Sequence, residues 1–198
     1  MTEEAKNGII KYTFDCEVTK TMLTITEDIG KINYLELIHY LLKKSDVFTF
    51  CLPNFGKYVE TLDGERIVEY LDDGTLFSEY KNKVLPKIEK IRTHQLKMYF
   101  SENYANNSYD REREIYIVKI DDCLNHSFFE NDGLFAWKYP HFPEDICFYK
   151  DGKCFMESVS HEKLCFFYLV DDELLRFLED REIEYLIEDC DNIPRLEI

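Results

Sequence analysis

Glycine and proline are scarce in this chain, seven and five among 198 residues, and tryptophan occurs once. Disordered and low-complexity chains carry the opposite bias, so a folded protein is expected. No run of about eighteen apolar residues occurs, which excludes a membrane-spanning helix. The opening Met1-Thr2-Glu3-Glu4 is acidic where a secretory leader is basic, so the cytosol is the expected compartment.

Chemical signatures are missing as well. None of the glycines lies in G-x-G-x-x-G or G-x-x-x-x-G-K-[ST] spacing, and there is no G-x-S-x-G elbow, so no cofactor is expected. The five histidines (His39, His94, His126, His141, His161) are scattered outside any zinc-ligand spacing, and no metal is expected. The acidic groups Asp121-Asp122, Glu144-Asp145 and Asp171-Asp172-Glu173 could converge on Mg²⁺ or Ca²⁺, but they lack calcium-loop alternation and read as solvated faces. There is no lysine and arginine cluster, since the acids beside Arg111 and Arg113 offset them. Direct binding to nucleic acid is therefore not expected.

What is present is acid and apolar bulk. Forty acidic residues against 24 basic ones give a formal charge of −16, while 45% of the residues are hydrophobic and 15% aromatic. Such a field repels phosphates and anionic membranes and attracts a basic partner. Seven cysteines, an odd number set mostly among apolar neighbours as in Ile146-Cys147-Phe148, read as reduced core thiols.

Periodicity predicts an α+β fold, a mainly antiparallel sheet with meanders and helices packed on it. A helix is expected over residues 32–44, with Ile32, Leu35, Ile38, Leu41 and Leu42 on its inner face, between strands at 9–18 and 47–52. From 58 to 80, Asp63-Gly64 and Asp73-Gly74 suggest a meander, with a short helix over 65–71 as the alternative. A helix started or kinked by Pro86 follows. The polar run 103–110 is the natural joint if the single domain, 1–198, consists of two halves, 1–103 and 110–198. Beyond it come a strand at 114–120 and a looped aromatic stretch at 128–143. Three hairpin-linked strands follow at 146–149, 153–159 and 164–169, with turns at Asp151-Gly152 and near His161-Glu162. Two-residue turns set Phe148 opposite Phe155, Tyr149 opposite Cys154 and Met156 opposite Phe167. Both sheet faces would then be largely apolar. A helix over 171–180, capped by Asp171 or Asp172 and with Leu174, Leu175 and Leu178 inward, and a strand over 183–187 complete the chain.

Three groupings are candidates for function. The loop Tyr139-Pro140-His141-Phe142-Pro143-Glu144-Asp145 combines restricting prolines with aromatic rings, a histidine and two carboxylates. With Phe135 and Trp137, its rings Tyr139 and Phe142 suit a small-ligand pocket. His141, Glu144, Asp145 and His161 are the residues of a nonstandard acid–base site. Ser158, Ser160, His161 and Glu162 read as a hydrogen-bonded turn, and Cys154 and Cys165 lie too deep in apolar strands for a stabilised thiolate. The third grouping is the densest acidic tract, Glu179, Asp180, Glu182, Glu184, Glu188, Asp189 and Asp191.

The block Phe142-Pro143-Glu144-Asp145-Ile146-Cys147-Phe148-Tyr149-Lys150-Asp151-Gly152-Lys153-Cys154-Phe155, continued by Ser158-Val159-Ser160-His161-Glu162, resembles one in small uncharacterised bacterial proteins of low-GC Gram-positive type. The resemblance implies a bacterial or phage origin and a cytosolic setting, and it transfers no activity. Charge and the lack of catalytic motifs favour an interaction protein over an enzyme. The expectation is an inhibitor of a basic protein, of toxin-immunity or phage anti-defence type, whose carboxylates imitate phosphates if the target is a nuclease. The acidic tract is its expected contact surface, with Trp137, Tyr139, His141 and Phe142 as further contacts. The alternatives are an enzyme using the His/acid site and a sensor using the aromatic pocket.

Overall fold

The computed structural model describes residues 20–53, 56–60, 66–70, 75–101, 113–190 and 193–196. The predicted strand at 9–18, the Asp-Gly turns at 63–64 and 73–74, and the joint at 103–110 lie outside them. Alternating segments build an eight-stranded antiparallel sheet from β1 (Lys20–Ile25), β2 (Val47–Pro53), β5 (Gln95–Ser101), β6 (Arg113–Lys119), β7 (Glu144–Lys150), β8 (Lys153–Val159), β9 (Leu164–Phe167) and β10 (Leu186–Cys190). The order across it is β10-β1-β9-β8-β7-β2-β6-β5. A separate hairpin pairs β3 (Gly56–Glu60) with β4 (Arg66–Tyr70). That hairpin bears out the first half of the expected meander and overturns the helix over 65–71. The rest of the meander is instead a helix, α2 (Thr75–Lys83), followed by α3 (Leu85–Glu89) with Pro86 in its first turn. Strands from both sides of residues 102–112 interleave, β1 between β9 and β10 and β2 between β6 and β7, so one sheet runs through both.

Helix α1 (Gly30–Lys44) starts where the Asp28 carboxylate accepts from the Gly30 N–H at 3.1 Å, and it ends as Ser45 turns extended. Its inner face differs from the predicted one. Tyr34, Leu37, Ile38, Tyr40, Leu41 and Leu42 are buried, whereas Ile32 is 75% and Leu35 37% exposed. The helix is rotated because its tyrosines bury large rings while finding partners for their hydroxyls: Tyr34 donates to the Phe129 carbonyl at 2.8 Å and Tyr40 to Asp171 at 2.8 Å.

The β7–β8 turn places Asp151 and Gly152 both at positive φ (50° and 72°), as a tight two-residue hairpin requires. Tyr149 pairs with Cys154 and Met156 with Phe167 as predicted, but Phe148 pairs with Met156 rather than Phe155. Phe155 is the extra residue of a bulge, which lets Phe155 and Met156 both enter the main core. That core, with Phe48, Phe50, Phe128, Phe129, Phe148 and Trp137, fills the sheet face beneath α1, α2 and α3. The opposite face carries a smaller cluster of Val47, Ile117, Cys147, Tyr149 and Cys154, covered by Ile193 and Leu196. Two backbone bonds anchor that cover, Cys154 N–H to the Pro194 carbonyl at 2.7 Å and Leu196 N–H to the Gly152 carbonyl at 2.8 Å.

Candidate partner-binding surface

The acidic tract folds as α4 (Asp172–Asp180), a turn, and β10. Asp171 is the N-cap and accepts from the Leu174 N–H at 2.8 Å. The same carboxylate receives the Tyr40 hydroxyl at 2.8 Å and Lys44 at 3.0 Å. Burial alone would raise its pKa, yet these donors outweigh it and hold Asp171 below the usual carboxylate range. Leu174 and Leu178 are fully buried and Leu175 partly so, which fixes α4 to the sheet by its apolar stripe.

At the far end of α4, Ile183 N–H bonds the Leu178 carbonyl at 2.9 Å and Glu182 N–H the Glu179 carbonyl at 3.1 Å. Glu182 supplies the left-handed residue (φ 53°) that commonly falls to glycine. Ile183 is thereby committed to closing the helix and is buried. The last strand consequently begins at Leu186, three residues later than predicted.

The two arginines of this region are already engaged. Arg181 Nε donates to Glu36 at 2.8 Å while its guanidinium lies 4.1 Å from the centre of the Phe177 ring. Arg176 donates to the Asp172 carbonyl at 3.0 Å. The carboxylates of Glu179, Asp180, Glu182, Glu184, Glu188 and Asp189 are all exposed, and none has a cationic partner among the described residues. Asp191, the seventh predicted contact, lies outside the described residues. β10 is an outer strand of the sheet, and Leu186 and Ile187 on it are 58% and 63% exposed. Sequence reasoning missed these two apolar residues because it assigned Ile183 through Ile187 to a strand returning inward. Their adjacency within an acidic tract was the available signal.

No protein-family model, curated protein or solved structure matches the chain. The local chemistry must therefore be judged on geometry.

The aromatic loop is not arranged as a pocket. Trp137 is fully buried and its indole N–H donates to the Tyr34 hydroxyl at 3.0 Å, so it belongs to the core and not to a contact surface. Phe142 packs tilted against Trp137, with ring centres 5.8 Å apart and planes at 59°, and Lys87 lies 3.5 Å from the centre of its ring. Tyr139 packs on Tyr80 at 5.7 Å. His141 is exposed, with Nδ1 3.3 Å from Lys83 Nζ and 3.4 Å from Glu79, which itself pairs with Lys83. The loop thus clamps α2 and α3 onto the sheet.

The candidate acid–base residues have separate surroundings. Asp145, buried at φ 50°, accepts from the Ser160 N–H at 3.0 Å, and Ser158 donates to the Ile146 carbonyl at 3.1 Å. His161 stands with Glu162 at the exposed turn, 3.4 Å apart. Burial pushes the Cys154 and Cys165 thiols well above their ordinary range, the wrong direction for a nucleophile. Among the described residues no group of three His, Cys, Asp or Glu side chains is placed to hold a metal ion. No helix among them is long and apolar enough to cross a membrane.

An open hollow of about 600 Å³ lies beside the start of α1, lined by Glu27, Asp28, Gly133, Phe135, Lys138 and Lys163 among others. Its mixture of charges selects no ligand class.

Proposed function

We propose that this chain is an acidic interaction protein that binds and neutralises a basic protein, of toxin-immunity or phage anti-defence type. The observation that carries the reading is the run of six exposed carboxylates along α4, the turn after it and β10, beside Arg181, which is paired with Glu36, and Arg176, which is bonded to the Asp172 carbonyl. Exposed like charges without cationic partners add their fields at long range, so they accelerate encounter with a cationic surface. Steering of this kind raises association rates from about 10⁵–10⁶ M⁻¹s⁻¹ to about 10⁸–10⁹ M⁻¹s⁻¹ at low salt. A nuclease target would meet carboxylates where it normally meets phosphates.

The competing account holds that these charges only keep the protein dispersed. The two differ in what charge reversal does. Wild-type chain and a Glu184→Lys/Glu188→Lys/Asp189→Lys variant are each immobilised and challenged with host lysate at low ionic strength. The expected result is one basic protein retained in near-equal amount by the wild type, released by salt, absent from the variant, and inhibited when free chain is added back in stoichiometric amount. Retention of nothing, or equal retention by both chains, would overturn the proposal.

A further inference from the structure

We infer that the open edge of the sheet at β10 takes up an extended, lysine- or arginine-bearing segment of the partner as an added strand. This rests on the basic-partner reading above and specifies how the partner is held.

β10 pairs with β1 from Thr24 with Leu186 to Lys20 with Cys190, without a register shift. Among the described residues no strand pairs with its outer side. Sheet edges are normally blunted by charged side chains, lysine above all, by proline, by a bulge or by a covering segment. Leu186-Ile187-Glu188-Asp189 contains no lysine, proline or bulge, and all four residues are exposed. The charges on this edge, Glu188 and Asp189, repel acidic strands but not basic ones. Strand alternation puts Leu186 and Glu188 on one face and Ile187 and Asp189 on the other. Each face of the edge therefore offers one apolar side chain and one carboxylate. An incoming antiparallel strand in which two cationic residues precede two apolar ones sets a cation against each carboxylate and an apolar side chain against Leu186 and Ile187. Its main chain pairs with the outward N–H and C=O groups of Leu186–Asp189, which no described strand meets.

The same pattern argues against a second copy of this chain as the occupant. A two-fold antiparallel pairing centred on the strand would set Glu188 against Glu188, and like charges directly opposite destabilise a ladder. The formal charge of −16 on each chain adds to that repulsion.

The test uses the full chain labelled with ¹⁵N and two synthetic probes, the octapeptide Lys-Lys-Val-Val repeated twice and the same peptide with proline at its first two valines. The expected result is salt-sensitive binding of the first, with hydrogen exchange slowed by about tenfold or more at outward-facing amides between Leu186 and Asp189, and no such slowing with the proline peptide. Equal binding of both peptides with unchanged β10 amides would overturn strand addition while leaving the basic-partner reading intact. Protection that grows with protein concentration in the absence of peptide would make a second copy the occupant and also overturn it. Failure of both peptides to bind at low salt would overturn strand addition, and a failed capture of any basic protein beside it would remove the basic-partner reading as well.

Discussion

Trp137 donates its indole N–H to the Tyr34 hydroxyl at 3.0 Å, and that hydroxyl donates to the Phe129 carbonyl at 2.8 Å. One oxygen therefore satisfies two buried groups more than ninety residues away along the chain. Burial pushes its pKa well above the ordinary tyrosine range, so it remains a neutral donor at any physiological pH. Tyr34→Phe keeps the ring but orphans the indole N–H and the carbonyl. The expected cost is about 2 kcal/mol in urea unfolding, the scale of an unsatisfied buried polar group. Emission of the sole tryptophan should shift in the folded variant. A cost under about 0.5 kcal/mol with unchanged emission would show that this oxygen is not the shared partner.

Gly133 and Asp28 are matched in the same region. A Cβ on Gly133 would lie 2.4 Å from both carboxylate oxygens of Asp28, whose Oδ1 accepts from the N–H groups of Gly30 and Leu134 at 3.1 and 3.4 Å. The backbone there is extended (φ 171°), so space and not conformation demands glycine. Gly133→Ala should displace the carboxylate and cost about 1–2 kcal/mol. The penalty should shrink by at least about 0.5 kcal/mol in an Asp28→Ala background, giving a non-additive double-mutant cycle. Strict additivity would show that the steric conflict is relieved elsewhere.

The parts of the fold legible in the sequence were those decided by local chemistry. Asp151-Gly152 announces its hairpin because the turn needs two positive φ values, and Asp171 announces a helix because the cap is three residues from its donor. What was hidden depended on distant partners. Ile32 looked internal and Tyr34 did not, since the stripe weighs carbon content and the groups that satisfy Tyr34 lie beyond residue 128. Trp137 and the loop 139–145 looked like a binding site for the same reason. The bulge at Phe155 shifts the pairing by one residue without any glycine to mark it. The edge strand β5 carries no turn signal at its start that separates Gln95–Ser101 from the helical turn before it, Arg92–His94. The acidic tract was legible as charge, whereas its placement on an open edge beside exposed Leu186 and Ile187 required the topology.

Glu157 gives the fold a distinctive pH response. It lies on the smaller-core face, where burial raises its pKa despite a 3.0 Å hydrogen bond from the Tyr168 hydroxyl that favours the ionised form. Because the folded pKa exceeds the unfolded value, its contribution is intact below the unfolded pKa and is lost as pH rises through the folded one. Asp46, Asp121 and Asp171 are lowered and act in the opposite sense, stabilising above the unfolded carboxylate pKa near 4 and failing as pH falls below it. Glu157→Gln keeps an acceptor for Tyr168 and removes the ionisation. Urea midpoints should coincide with wild type near pH 4 and exceed it near pH 8. A constant offset at both values would assign the effect to packing.

Thiol reactivity should follow the same division between surface and core. Cys123 is exposed, whereas Cys51, Cys147, Cys154 and Cys165 are buried. Only a thiolate attacks a disulfide reagent, and burial suppresses that form at Cys154 and Cys165. Labelling of the folded chain with an aromatic disulfide reagent, mapped by peptide, should modify Cys123 first and the four buried residues only as urea unfolds the sheet. Oxidation should not link Cys147 to Cys154 either. Cys147 pairs with Glu157 and Cys154 with Tyr149, so the two cysteines are not direct cross-strand partners. Even diagonal neighbours on adjacent strands sit about 7–8 Å apart, beyond the usual Cα separation of a disulfide. A Cys147–Cys154 bridge recovered from folded protein would mean that the β7–β8 register slips in solution.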